Sequence, residues 1–224
     1  ISQGGGVYPR SLKTIPLSPE IRSLLGVDAG SLTPSELIRA MLLAPVDLLY
    51  NGGIGTYVKA STETHAQVGD RANEAIRVDG RELRCKVVAE GGNLGCTQLG
   101  RIEFALAGGR INTDAIDNSA GVDCSDHEVN IKILLNAVAA AGDMTKEQRN
   151  QLLGEMTGEV GALVLEDNYY QTQALSVVGR IAPQILDGHA RLIRTLERRK
   201  LLNRRIEFLP SDEQIAQRKA AGPG

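Results

Sequence analysis

Apolar residues recur along this chain in two rhythms. In "LTPSELIRAMLLA", Leu37 and Met41, and Ile38 and Leu42, repeat at helical spacing. Thr33 is placed as N-cap there, Pro34 at the first helical position, and Glu36 closes a capping box. "LSPEIRSLLG" uses the same device, with Ser18 as cap and Gly26 as stop. Short continuous apolar runs at 45–50 ("PVDLLY") and 85–90 ("CKVVAE") predict buried parallel strands, each ending in a glycine loop, "NGGIGT" and "GGNLG". A polar segment from about Ser61 to Ile76 is read as helix between them. This alternation is that of a doubly wound α/β sheet.

Behind residue 127 the rhythm becomes purely helical. "VNIKILLNAVAAA" carries Ile131, Leu134, Leu135 and Val138 on one face. Thr145 and Gln148 form a capping box ahead of a stripe of Leu152, Met156, Val160 and Leu163. A further helical pattern runs over 174–202, and Ser211 caps a last short helix. The expected organisation is an α/β domain over 1–127 and an all-helical region over 128–224.

Composition narrows the function classes. Hydrophobic content of 42% and charged content of 23% are those of an ordinary globular protein. A net charge of -2 argues against nucleic acid or a membrane surface as partner. No apolar run approaches the roughly 18 residues of a bilayer span, and no signal peptide is expected. Cys85, Cys96 and Cys124 are odd in number and lack metal-ligand spacing, so a reducing cytoplasm is the expected setting. The start at Ile1 and the absence of tryptophan suggest a piece of a longer polypeptide.

Candidate chemistry gathers at the strand ends and at "IDNSAGVDCSDHEVNIKILL" (116–135). Ligands of open parallel sheets sit at strand carboxyl ends, where loops and helix N-termini present N–H groups. Gly52 and Gly53 in one loop, and Gly91 and Gly92 in the other, leave the backbone open to such a ligand. Glu90 and Asn93 flank the second pair as hydrogen-bonding groups for a ribose or an amide. On spacing alone, plain strand-to-helix turns explain the glycines more simply. Neither loop is a GxGxxG fingerprint. In the second stretch, Ser125 and Glu128 read as a capping box, with Asp126 in the first helical turn. Asp123, Cys124, Asp126 and His127 follow no recognised metal-ligand spacing, so no metal site is expected. His127 reads as a half-buried helix residue, Cys124 as a small apolar filler, and His65 and His189 as surface residues.

The order "DLLYNGGIGTYVKAS", "VVAEGGNLGCTQLGR", "INTDAIDNSAGVDCSDHEV" resembles the second half of the coenzyme domain of glutamate dehydrogenases. "AEGGN" (89–93) matches the family's Ala-Glu-Gly-Ala-Asn. "NSAGV" (118–122) matches its Asn-Ala-Gly-Gly-Val, with Ser125 at the family's serine. "NGGIGTY" and the opening "ISQGGGVYPRSLKTIPLSPE" are closer to the very large bacterial NAD-specific enzymes. The resemblance covers about residues 1–135 and implies half of a Rossmann-like, doubly wound sheet with NAD as cofactor.

It further implies that Asn51, Gly52, Gly53, Glu90, Gly91, Asn93 and Asn118 line the coenzyme, Asn93 at the nicotinamide-ribose end and Asn118 between nicotinamide and substrate. Ser125 would bind the side-chain carboxylate of L-glutamate on its way to 2-oxoglutarate and ammonia. The family's catalytic lysines and aspartate, and its glycine fingerprint, belong to segments ahead of this one. The chain is thus expected to supply positioning but no acid or base, and to be inactive alone. Assembly of the whole enzyme as a homo-oligomer is a further implication. Two alternatives remain beside this reading: a dehydrogenase of another amino acid in the same superfamily, and a non-catalytic α/β regulatory or interaction module.

Overall fold

The computed structural model describes residues 1–222 and divides the chain into two compact units, Ile1–Asn118 and Ser119–Gly224. The division falls ahead of the expected 127, which would cut through a helix.

The first unit is α/β, with parallel strand pairing. Its main sheet has three parallel strands in the order β3 (Leu48–Asn51), β6 (Val87–Glu90), β7 (Arg110–Ile111). The expected strands at 45–50 and 85–90 are therefore present, each somewhat shorter. The register sets Leu48 against Val87 and Asn51 against Glu90, so both glycine loops leave the sheet at one level. A second parallel pair joins β4 (Val58–Lys59) to β5 (Val78–Asp79), and an antiparallel pair joins β1 (Ile15–Pro16) to β2 (Ser31–Leu32). Two-residue strands leave no periodicity in a sequence, which is why none of these four was anticipated.

The helix caps behave as their chemistry dictates. Ser18 accepts from the Ile21 N–H at the start of α1 (Pro19–Leu25), and Gly26 ends that helix at φ 69°. Thr33 and Glu36 form the reciprocal box that opens α2 (Pro34–Leu42). Between β4 and β5, one helical turn, α3 (His65–Val68), and a 3-10 turn at Arg71–Asn73 replace the expected longer helix. The reason is tertiary. Buried Arg77 donates to the backbone carbonyls of Thr56 and Asp70 and lies 2.9 Å from His65 Nδ1, folding the segment back on itself. His65 is accordingly half-buried against an arginine rather than a surface residue. The core is Val58, Val78, Cys85, Val88, Cys96 and Phe104, the last on α4 (Gln98–Leu106). The unit closes with the short helix α5 (Asp114–Asp117).

The second unit is all-helical. Helix α6 (Ser119–Ala140) packs on α7 (Lys146–Arg198), and α8 (Asp212–Ala221) follows. Thr145 and Ser211 make the expected capping boxes. Two expectations fail. Ser125 and Glu128 are not a capping box, because the helix starts at Ser119 and both lie inside it; Glu128 pairs with Lys132 one turn on. Nor do two helices occupy 145–202. They are one continuous helix of 53 residues that carries Pro183 in its interior. Its buried stripe also drifts from the sequence pattern, taking Val164 rather than the exposed Leu163. Among the described residues no helix is long and apolar enough to cross a membrane.

Candidate functional site

The carboxyl ends of β3 and β6 meet in one surface of the first unit. The Gly91 N–H donates to the Asn51 carbonyl at 2.9 Å, continuing the ladder one step past the paired residues. The glycines beyond it differ in what requires them. A Cβ on Gly91 would lie 1.9 Å from the Tyr50 hydroxyl, and one on Gly92 would lie 2.4 Å from the Gly53 carbonyl oxygen. Gly92 is small because the loops cross, a packing reason that needs no ligand, whereas at Gly91 the contact is with the tip of the exposed Tyr50 side chain, which can swing aside. Gly53 has nothing within 4 Å of such a Cβ and is exposed. Gly52 is exposed as well, with the Tyr50 ring 3.0 Å from its virtual Cβ.

Asn51 sits beneath the loops. Its Oδ1 accepts from the Gly53 N–H at 3.4 Å, while its Nδ2 is buried and makes no hydrogen bond. A buried amide donor left unmade costs about 1–3 kcal/mol, and such groups mark places where a further partner belongs.

Asn93 and Asn118 come together. Asn118 Nδ2 donates to Asn93 Oδ1 at 2.9 Å, joining the loop after β6 to the end of α5. The approach is built by carboxylates that the sequence reading passed over. Asp117 accepts from the Glu90 N–H at 3.1 Å and from Asn112 Nδ2 at 3.0 Å, so α5 is tied to the end of β6. Asp114 accepts from the Leu94 N–H at 2.8 Å and holds Leu94 at φ 59°. A left-handed leucine is uncommon; this hydrogen bond, with Thr56 donating to the Leu94 carbonyl at 2.7 Å, over-determines it. The result sets exposed Asn93 at the loop tip.

Glu90 does not face a ligand, contrary to expectation. It is 1% exposed, and its Oε2 accepts from Arg101 Nε and Nη2 at 3.0 and 2.7 Å, while Oε1 accepts from the Cys96 N–H at 3.2 Å. Burial pushes its carboxyl above the usual range and Arg101 pulls it back. Both roles are structural. Burial, with Glu90 nearby, also pushes the Cys96 thiol up to about 12, which removes it as a nucleophile. The sequence signal for this pair was present and unused. An acidic residue closing an apolar strand needs a buried cation, and Arg101 begins one turn into the next helix.

Ser125 belongs to the second unit. It lies inside α6 with its side chain exposed, so its hydroxyl is not committed to a helix cap.

The first unit is thus a parallel α/β unit with an open glycine backbone and a pair of asparagines at its strand ends, the end at which open parallel sheets hold their ligands. Comparison with known proteins makes the assignment particular. The chain belongs to the bacterial NAD-glutamate dehydrogenase, catalytic domain family, which matches residues 1–178. It is similar to the NAD-specific glutamate dehydrogenases of Pseudomonas aeruginosa (62% identical), Halomonas elongata (56%) and Mycobacterium tuberculosis (54%). All of this chain aligns with each of them, and it spans 14% of their length.

Proposed function

We propose that the chain is the part of an NAD-dependent glutamate dehydrogenase that completes the coenzyme site and begins the substrate site. On this reading residues up to Asn118 are half of a Rossmann-like, doubly wound domain, and the helices behind them are its C-terminal region. The observation that carries the proposal is the hydrogen bond between Asn93 and Asn118, the two asparagines whose motifs match the family. The residues fit a dinucleotide in two further respects. Gly53 leaves its backbone open, and the unsatisfied Asn51 amide offers a donor at the strand end.

NAD supplies the hydride acceptor in such a reaction. The protein's own part is positioning. Asn93 and Asn118 hold each other's amides in fixed orientation, so that Asn93 meets the nicotinamide-ribose end and Asn118 the space between nicotinamide and substrate. The exposed Ser125 hydroxyl receives the distal carboxylate of L-glutamate. The setting is the cytoplasm, with the whole enzyme a homo-oligomer.

The test is Asn118→Ala in the intact polypeptide, with initial rates of NADH formation from glutamate. A fall of about ten-fold or more in kcat/KM is expected, since a positioned polar contact is worth roughly 1.5 kcal/mol. Intact protein that forms NADH faster from valine or leucine than from glutamate would favour the other-amino-acid reading. Intact protein inactive with every amino acid would favour the interaction module.

A further inference from the structure

We propose that Asp123 and His127 of α6 and Asp167 of α7 form a binding site for a divalent transition-metal ion, Zn2+ being the species the donors suit. The three side chains bring one oxygen, one imidazole nitrogen and one oxygen within 4.8 Å of one another, all in the helical second unit. Asp123 and His127 stand four apart on one helix, the spacing that stacks two side chains on a single face. Asp167, remote in sequence, arrives from the packed helix. Cys124 and Asp126, the neighbours that crowd this stretch of sequence, are exposed and outside the group.

A second, independent observation points to a ligand. Asp123 Oδ2 and His127 Nε2 make no hydrogen bond and are themselves shielded, although the two side chains are 28% and 36% exposed and Asp167 is exposed. The Asp123 Oδ1 to His127 Nε2 separation is 3.4 Å. Two ligands bound at about 2.1 Å around a tetrahedral centre lie roughly that far apart. Imidazole with two carboxylates suits zinc and its neighbours; magnesium and calcium prefer oxygen donors alone. Three protein ligands leave a fourth position for water.

The ion would join α6 to α7 close to a polar clasp already present, where Ser119 Oγ donates to Asn168 Oδ1 at 2.8 Å. It would therefore fix the helix that carries Ser125. The inference itself stands on the three side chains and not on the enzymatic reading. The competing account is a plain ion pair between His127 and Asp123, one turn apart. That account gives Asp167 no part.

The experiment uses the intact, untagged polypeptide, stripped with a chelator and titrated with ZnCl2 by calorimetry, beside His127→Gln and Asp167→Asn. The wild type is expected to take up one more equivalent than either variant, or to bind that equivalent at least ten-fold more tightly. Zinc should raise the melting temperature of the wild type and leave that of Asp167→Asn unmoved. Identical zinc uptake by all three proteins overturns the proposal. So does loss in His127→Gln with full binding in Asp167→Asn. Should either variant fail to fold, Co2+ added to the wild type decides: visible d–d absorption at one equivalent supports the site, and its absence overturns it.

Discussion

Replacing Arg101 by methionine isolates the charge pair beneath the candidate coenzyme surface. Glu90 is 1% and Arg101 6% exposed, and both guanidinium contacts fall on one carboxylate oxygen. Without Arg101 the carboxylate keeps only the Cys96 N–H and gains the uncompensated neighbourhood of Asp114, whose charge already pushes it upward. Breaking a buried pair from one side costs about 3–5 kcal/mol, a large share of the roughly 5–15 kcal/mol that holds a domain folded. In a chain of this size that corresponds to a melting temperature lower by roughly 6–20 °C.

Glu90→Gln should cost less, about 1–3 kcal/mol, because Arg101 keeps Asp114 at 3.4 Å. A Glu90→Leu/Arg101→Met double variant should recover part of the single variant's loss, since apolar replacement of a buried pair is often neutral. The pH dependence has a definite sign. A carboxyl whose folded pKa is raised favours the folded state below its unfolded pKa, and that contribution is lost as pH rises through the folded pKa. Arg101→Met raises the folded pKa further, so its deficit should be largest at pH 8 and smaller at pH 5. Thermal denaturation followed by circular dichroism at the two pH values reads both quantities. A drop below about 2 °C, or a deficit that grows toward pH 5, would refute the assignment of the pair as buried and mutually dependent.

Three further outcomes are expected. Ser125→Ala in the intact polypeptide should lower kcat/KM for glutamate about ten- to a hundred-fold, from roughly 1.5–3 kcal/mol for a charged hydrogen bond, and should spare norvaline, which lacks the carboxylate. Because Ser125 lies inside α6, alanine should hold or slightly raise the melting temperature; equal losses with both substrates would sink the substrate role. Alkylation at pH 8 should label exposed Cys124 and leave Cys85 and Cys96 intact, since burial raises both thiols, that of Cys96 to about 12. Mass spectrometry finding Cys96 labelled as fast as Cys124 would contradict the packing around Glu90. Gly92→Ala should weaken NAD binding by the intact polypeptide, because its Cβ would lie 2.4 Å from the Gly53 carbonyl and force the two loops apart. Unchanged coenzyme affinity in calorimetry would mean that the loops can part without consequence.

What the sequence determined by itself is what depends on neighbours a few residues apart. The caps at Ser18, Thr33, Thr145 and Ser211 were readable because a cap is a contact spanning three residues. Strands β3 and β6 were readable because continuous apolar runs ending in glycine have few alternatives. The family was readable from motifs that also depend only on local order. The same local pattern misled at Ser125 and Glu128. A serine followed three residues later by glutamate marks a helix start only if the chain turns there, and the turn lies earlier, at Asn118. Only the tertiary structure decided that two helices fuse into α7, that Glu90 is spent on Arg101, and that Asn93 meets Asn118. It alone brings Asp167 to His127. Each of those joins residues far apart along the chain or depends on what a helix packs against. Such contacts form when the folded core fixes both partners' backbones, and no stretch of sequence records that by itself.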